Sequence, residues 1–358
     1  MLFDVIKEQE FYNNTPFYFS YSSLNTLMWD PYTFYKTYIL KEREEKISPA
    51  LIQGKVIHAL LLKEDEFDDM FIISPDNLPT GNNKLLIDRI YYHHNSLCKE
   101  SADVDNPDRD NNRNNYELSD YSKEILNALV EIDLHQSLKD EKGSKDNLIP
   151  LTGDQKRLAK IITDETNSYW NFLKQRERKT LIDRTTYDYC VECVNIIRNN
   201  NKAFKLLGMS EFSNVQIFNE IELKKELAKF PFGLKGIIDN LVIDDENKVI
   251  YINDLTTPSK SLRDFPESVE FYSYWLQCSI YSTLVHYCYE ELINKGYIVE
   301  FHFIVLDCNK RIYCFKVSEK TRTLWFERTI EILIKANHHY TDNKWELPYE
   351  FSSKEYVL

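Results

Sequence analysis

Residues 233–281 read GLKGIIDNLVIDDENKVIYINDLTTPSKSLRDFPESVEFYSYWLQCSIY. Two strand-like runs open the stretch. Phe232–Ile243 is apolar with Asp239 inside it, and Lys248–Thr256 is apolar with Asp254 near its end. Between them stands Asp-Asp-Glu-Asn, 244–247, whose polar side chains favour a hairpin turn. A helical segment follows. It carries Gln277 and Tyr281 four residues apart, so the two share one helix face.

The carboxylates decide the reading. An apolar strand should not hold an unpaired buried charge, because taking a carboxylate out of water is expensive. Here two neighbouring strands each hold one. In a hairpin both can face one side at the strand edge. Two close carboxylates repel, and they favour a proton or a cation between them. A hard divalent ion with oxygen ligands, Mg²⁺ or Mn²⁺, suits such a site.

Further upstream, Ser20-Tyr-Ser-Ser-Leu24 offers helix-capping hydroxyls before a helix near Leu24. Asp30-Pro31 interrupts that helix. Pro49 opens the next one, at a position proline tolerates. That helix places Gly54 and His58 on one face. Gly54 would let another backbone come close, and His58 sits among Val56, Ile57, Ala59, Leu60 and Leu61.

Together these pieces resemble the PD-(D/E)XK nuclease superfamily, in its RecB-like and phage exonuclease branch. The matching residues are Gly236-Ile-Ile-Asp239, Asp254-Leu-Thr-Thr257, Gln277-x-x-x-Tyr281, and upstream the Ser20 segment, Asp30-Pro31 and Gly54-x-x-x-His58. The resemblance covers roughly residues 18–62 and 214–318. It implies a restriction-endonuclease-like core and metal-dependent hydrolysis of DNA phosphodiester bonds. It also implies that His58, Asp239, Asp254 and the carbonyl of Leu255 hold the metal, with Gln277 and Tyr281 lining the cleft. A Glu on the preceding strand often assists in this family. Glu220 and Glu222 share one strand face there, and Glu220 is the choice.

The chain departs from the pattern at Thr256, where the family has Lys. A threonine supplies no positive charge. Lys235, four residues before Asp239 on the same strand face, or Lys260, in the loop after the second strand, would have to supply it. The alternative is a protein that keeps the fold and binds DNA or a recombination partner without cutting. A third reading keeps only the fold.

Composition sets the outer bounds. The formal net charge is −13, which disfavours a broadly basic nucleic-acid-binding surface and leaves room for a local basic groove. Seven cysteines, scattered and odd in number, fit reduced thiols in a cytoplasm. Cys190-Val-Glu-Cys193 has metal-ligand spacing but no second pair like it, and reads as two thiols on a helix. No run approaches the ~20 apolar residues of a membrane span. Richness in Asn, Lys, Ile and Tyr suggests an AT-rich coding genome, which a phage would fit. The resemblance to phage exonucleases implies DNA and a phage recombination or replication protein as partners. An oligomer is compatible, since some phage exonucleases close into rings, although no coiled-coil pattern is present.

The expected architecture is α/β, a central mixed sheet flanked by helices with a helical insertion. Residues 1–74 would form the N-terminal helical part, 75–207 the insertion, 208–340 the nuclease core and 341–358 a tail. The insertion contains a polar run at 103–115, read as a loop, a charged turn at 139–147, and two long helices over 152–207 that break near Asp183. Residues 268–294 read as one long helix, and 319–336 as the last.

Overall fold

The computed structural model describes residues 17–42, 48–100, 116–131, 153–176, 179–210, 215–257 and 260–354. The expected loop at 103–115 and turn at 139–147 lie outside the described residues. The chain divides into two compact units, Met1–Asp65 with Tyr189–Leu358, and Glu66–Asp188.

The first unit is built on a six-stranded mixed sheet flanked by helices. Its strands are β1 (Tyr18–Phe19), β2 (Val215–Glu226), β3 (Gly233–Asp244), β4 (Val249–Thr256), β5 (Ile298–Leu306) and β6 (Ile312–Val317). β2 pairs antiparallel with β3, from Val215↔Asp244 to Glu226↔Gly233. β3 pairs antiparallel with β4, β4 parallel with β5, and β5 antiparallel with β6. The other edge of β3 is shared. β4 takes Asn240–Asp244 and β1 takes Gly233–Leu234, in parallel.

Local chemistry explains these elements. The turn between β3 and β4 closes on Asp244, which accepts from the Asn247 amide at 2.9 Å and from its side chain at 2.8 Å. β4 is buried at every position but Tyr251, as expected for a strand covered on both faces. The helices of this unit include α1 (Tyr21–Trp29), α2 (Pro49–Leu62), α3 (Phe265–Phe271), α4 (Tyr274–Cys288) and α5 (Glu319–Asp342). α1 starts three residues earlier than expected because Ser20 and Ser23 bond to each other's amides, at 3.2 and 2.8 Å, in a capping box. Asp30 then accepts from the amides of Tyr32 and Thr33, which starts a new turn at Pro31. Ile250, Ile252, Trp275, Leu276, Ile280, Phe301 and Phe303 form the centre of the core.

Two expectations are corrected here. The helix expected over 268–294 is broken. Ser273 takes φ +58°, a left-handed conformation that separates α3 from α4, and α4 itself ends at Cys288. The Tyr21 hydroxyl donates to the carbonyl of Tyr272 at that break. The last helix does not stop at Ala336. It runs to Asp342 and ends on Asn343 at φ +50°.

The second unit packs the helices Gly81–Glu100, Ser122–Glu131, Gly153–Ile161 and Asp164–Arg176 around Leu86, Ile87, Ile125 and Trp170. Two three-residue strands, Phe71–Ile73 and Thr180–Ile182, pair in parallel. The first long helix expected after 152 is divided at Thr163, whose amide bonds to the Thr166 hydroxyl at 2.9 Å. Asp183 accepts from the Thr186 amide at 2.7 Å, at the break expected there. Among the described residues no helix is long and apolar enough to cross a membrane.

Candidate metal centre

The site forms where the hairpin ladder ends. β3–β4 pairing runs from Asp244↔Val249 to Asn240↔Asn253 and stops. Asp239 and Asp254 come next in register, just beyond the last pair. The Leu255 amide bonds to Asp239 Oδ2 at 2.8 Å, so a side-chain carboxylate stands in for a strand partner.

Glu220 joins from β2. Asn219↔Asn240 and Ile221↔Ile238 pair on either side of it, while Glu220 itself sits at φ +49°. A left-handed glutamate costs roughly 1–3 kcal/mol, and such strain persists where surroundings enforce it. His58 joins from α2, whose first turn is set by the Ser48 cap and Pro49. Its Nδ1 lies 3.4 Å from Glu220 Oε1 and 3.8 Å from Asp239 Oδ1. Its Nε2 donates to the Leu255 carbonyl at 2.9 Å, which fixes the ring. One ligand atom from each of His58, Glu220 and Asp239 lies within 4.8 Å of the others, with each residue partly buried.

Asp254 stands beside this group of three. It is 4 % exposed. Its Oδ1 accepts from Gln277 Nε2 at 2.5 Å and its Oδ2 from the Thr256 hydroxyl at 2.8 Å. Gln277 also lies 3.4 Å from the Tyr281 hydroxyl. The Tyr281 ring packs against β3 at Gly236. A Cβ on Gly236 would come within 2.6 Å of that ring, so the strand needs glycine there. Gly54 is different. A Cβ there would meet Thr257 Oγ1 at 3.5 Å, an ordinary contact, so the close backbone approach expected at Gly54 is not what the structure shows.

The electrostatics follow from the geometry. Burial works against charge on His58, but Asp239, Glu220 and the Leu255 carbonyl outweigh it and lift its pKa to about 9. Burial raises the Asp239 pKa, against the pull of His58 and the Leu255 amide. Burial, and then the charge of Asp239, raise that of Asp254, against the Thr256 hydroxyl. The cluster therefore holds protons where it lacks other positive charge. One imidazole, two carboxylates and a nearby carbonyl are donors that fit a hard or borderline divalent cation, and a cation would replace those protons.

The two candidate lysines sit differently. Lys235 is exposed, on the Asp239 face of β3, opposite Lys224. Four residues of strand put its backbone roughly 13 Å from that of Asp239, so it does not occupy the place of the Thr256 side chain. Lys260 is exposed, with Nζ 5.9 Å from the Phe271 ring. Among the described residues no lysine or arginine forms an ion pair with Glu220, Asp239 or Asp254.

Two tyrosines near Asp254 escaped the sequence reading. Burial, and then Asp254, push the Tyr274 pKa up to about 12. Burial, Tyr274 and Asp254 also raise that of Tyr21. Tyr274 lies three residues before Gln277, and that helical spacing was a readable signal.

The opposite face of the same strands carries a second polar row. Asn240 Nδ2 donates to Asn219 Oδ1, and Asn253 Nδ2 to Asn240 Oδ1, both at 2.8 Å. Asn219 and Asn253 end the row on the carbonyls of Leu62 and Leu206.

No protein-family model matches the chain, and no curated protein matches it. Among solved structures it is similar to the crystal structure of a "Putative exonuclease" from Eubacterium rectale. The TM-score is 0.44 and the identity 12 %, over 99 % of this chain and 91 % of that one. A likeness of that size assigns neither fold nor chemistry.

Proposed function

We propose that the protein is a divalent-cation-dependent nuclease that hydrolyses phosphodiester bonds in DNA from an end, as a phage-type exonuclease does in recombination, replication or genome processing. One observation carries the reading. Three separate elements, α2, β2 and β3, bring His58, Glu220 and Asp239 together at the end of a strand ladder, with Asp254 beside them. That placement agrees with the motif order in the sequence. His58, Glu220 and Asp239 would hold Mg²⁺ or Mn²⁺, with Asp254 and the Leu255 carbonyl beside them. The bound cation would lower the pKa of a water and neutralise the scissile phosphate.

The chain's own residues have separate tasks. The Leu255 carbonyl orients His58, and the Leu255 amide orients Asp239. Gln277 and Thr256 fix the Asp254 carboxylate. Lys235 and Lys260, unpaired with the carboxylates, are left to meet the DNA backbone.

A second reading has an observation of its own. The Thr256 hydroxyl is committed to Asp254, and among the described residues no lysine or arginine pairs with the carboxylates. A protein that binds DNA or a recombination partner and cleaves weakly or not at all fits that feature. End-labelled linear duplex DNA with Mg²⁺ or Mn²⁺, beside closed circular DNA and an Asp239→Ala/Asp254→Ala variant, separates the readings. Loss of label from linear DNA alone, absent in the variant, supports an end-dependent nuclease. Retained DNA binding without cleavage supports the binding protein, and cleavage at the wild-type rate by the variant overturns the assignment of the site.

A further inference from the structure

α4 has a second polar face. Ser279 and Ser282 lie about 200° and 140° around the helix from Gln277, so they turn away from the carboxylates. They line, with Arg322, Tyr287, Phe326 and Glu319, a cavity of about 380 Å³ against α5. That is within the usual size range of small-molecule sites.

Three polar atoms of this lining lack an oxygen or nitrogen hydrogen-bond partner. Ser279 is 3 % exposed, and its hydroxyl has no hydrogen-bond partner. Arg322 Nε is also buried without one, and the Ser282 hydroxyl has only the Cys278 thiol, a weak partner, beside it. Among the described residues no carboxylate lies within ion-pair distance of the Arg322 guanidinium. An unsatisfied buried polar group costs about 1–3 kcal/mol, so three around one cavity need an explanation. Nearby groups are already committed. The Thr283 hydroxyl donates to the Ser279 carbonyl at 2.8 Å, and His286 Nδ1 lies 2.7 Å from the Ser282 carbonyl.

All three groups can donate, so their complement is rich in acceptors. A guanidinium fork with hydroxyls beside it matches phosphate. A serine hydroxyl reaches a new direction by one staggered rotation. The side walls differ. Tyr287 and Phe326, 49 % and 45 % exposed, offer flat apolar surface to a ring. The Glu319 carboxylate only accepts, so it repels a bare anion and takes an N–H from an exocyclic amine.

We infer that this cavity binds a phosphate monoester carrying an aminated aromatic ring, of the nucleoside monophosphate class, with its phosphate on Arg322, Ser279 and Ser282. None of these residues touches the carboxylate group, so the inference does not depend on the nuclease reading.

The test is calorimetric titration of the full chain in EDTA, with deoxyadenosine monophosphate and, separately, inorganic phosphate. Wild type, Arg322→Ala, Phe326→Ala and Asp239→Asn are compared, each checked for an intact melting transition. The nucleotide should bind at least about tenfold more tightly than phosphate, corresponding to 1.4 kcal/mol. Arg322→Ala should weaken it by about tenfold or more. Phe326→Ala, at an exposed position, should weaken it by several-fold if Arg322→Ala fails to fold. Asp239→Asn should leave it unchanged. No binding at millimolar nucleotide overturns the inference. So does equal affinity for phosphate, binding that survives both cavity changes, or binding lost in Asp239→Asn.

Discussion

The two faces of β2, β3 and β4 solve the same problem in opposite ways. One face carries Asn219, Asn240 and Asn253, and the other carries Glu220, Asp239 and Asp254, each one residue along the chain. Asparagine both donates and accepts, so three of them close a row among themselves and end it on two carbonyls. Ionised carboxylates only accept. Three of them side by side cannot satisfy one another and must recruit His58, Gln277, the Thr256 hydroxyl and the Leu255 amide. The neutral row closes without a charge and leaves one atom, Asn253 Oδ1, without a partner. The acidic row remains short of positive charge, and that shortage makes it a site.

Exchanging one atom on each face breaks the comparison most directly. Asp239→Asn should lower cleavage of end-labelled DNA by at least about 1000-fold, or about 4 kcal/mol of barrier. It relieves repulsion, so the melting temperature should hold or rise. A melt that collapses would show that the acidic face is structural. Asn253→Asp makes the reverse exchange. It removes the donor to Asn240 and Leu206 and buries a charge. It should cost about 3–5 kcal/mol in urea unfolding.

The neutral row can be sharpened by pH. His302 pairs with Asn253 across β4 and β5 and is 2 % exposed. Burial, against the pull of Glu300, lowers its pKa to about 4 from 6.5. Between those values the unfolded chain takes a proton that the folded chain refuses. Stability is therefore present above pH 6.5 and falls as pH drops towards 4, by up to about 3 kcal/mol. His302→Gln should flatten that part of the unfolding profile, and an unchanged slope would place its origin elsewhere.

The smallest effect falls on the strained member of the acidic row. Glu220→Gly removes a left-handed glutamate and a repelling charge. It should stabilise the fold by about 1 kcal/mol or less while weakening cation affinity. A destabilised protein would mean that Glu220 holds β2 in place rather than serving the ion.

The acidic face was largely legible before any coordinates. Asp239 and Asp254 stood out because apolar strands surround them, and Gln277 with Tyr281 because they share a helix face. The asparagine face was not legible. An isolated Asn in a strand pattern carries no mark of its partners, and its meaning appears only when the register sets Asn219, Asn240 and Asn253 side by side. The break at Ser273 and the strain at Glu220 were hidden for a related reason. Each is a left-handed residue of a type that usually is not, chosen by packing rather than by local propensity. The pairing of Phe71–Ile73 with Thr180–Ile182 joins three-residue runs far apart in sequence, too short to show a period.

The bond from the Leu255 amide to Asp239 has a wider meaning. On one side the end of β4 is held by another strand, through Leu255↔Ile304 and Thr256↔Val305. On the β3 side it is held by a titrating side chain. Whatever changes the charge on Asp239, a proton or an ion, also changes how firmly the end of β4 is tied down. The charge state of the site is thereby written into the backbone, as the rate at which a single amide gives up its hydrogen to solvent.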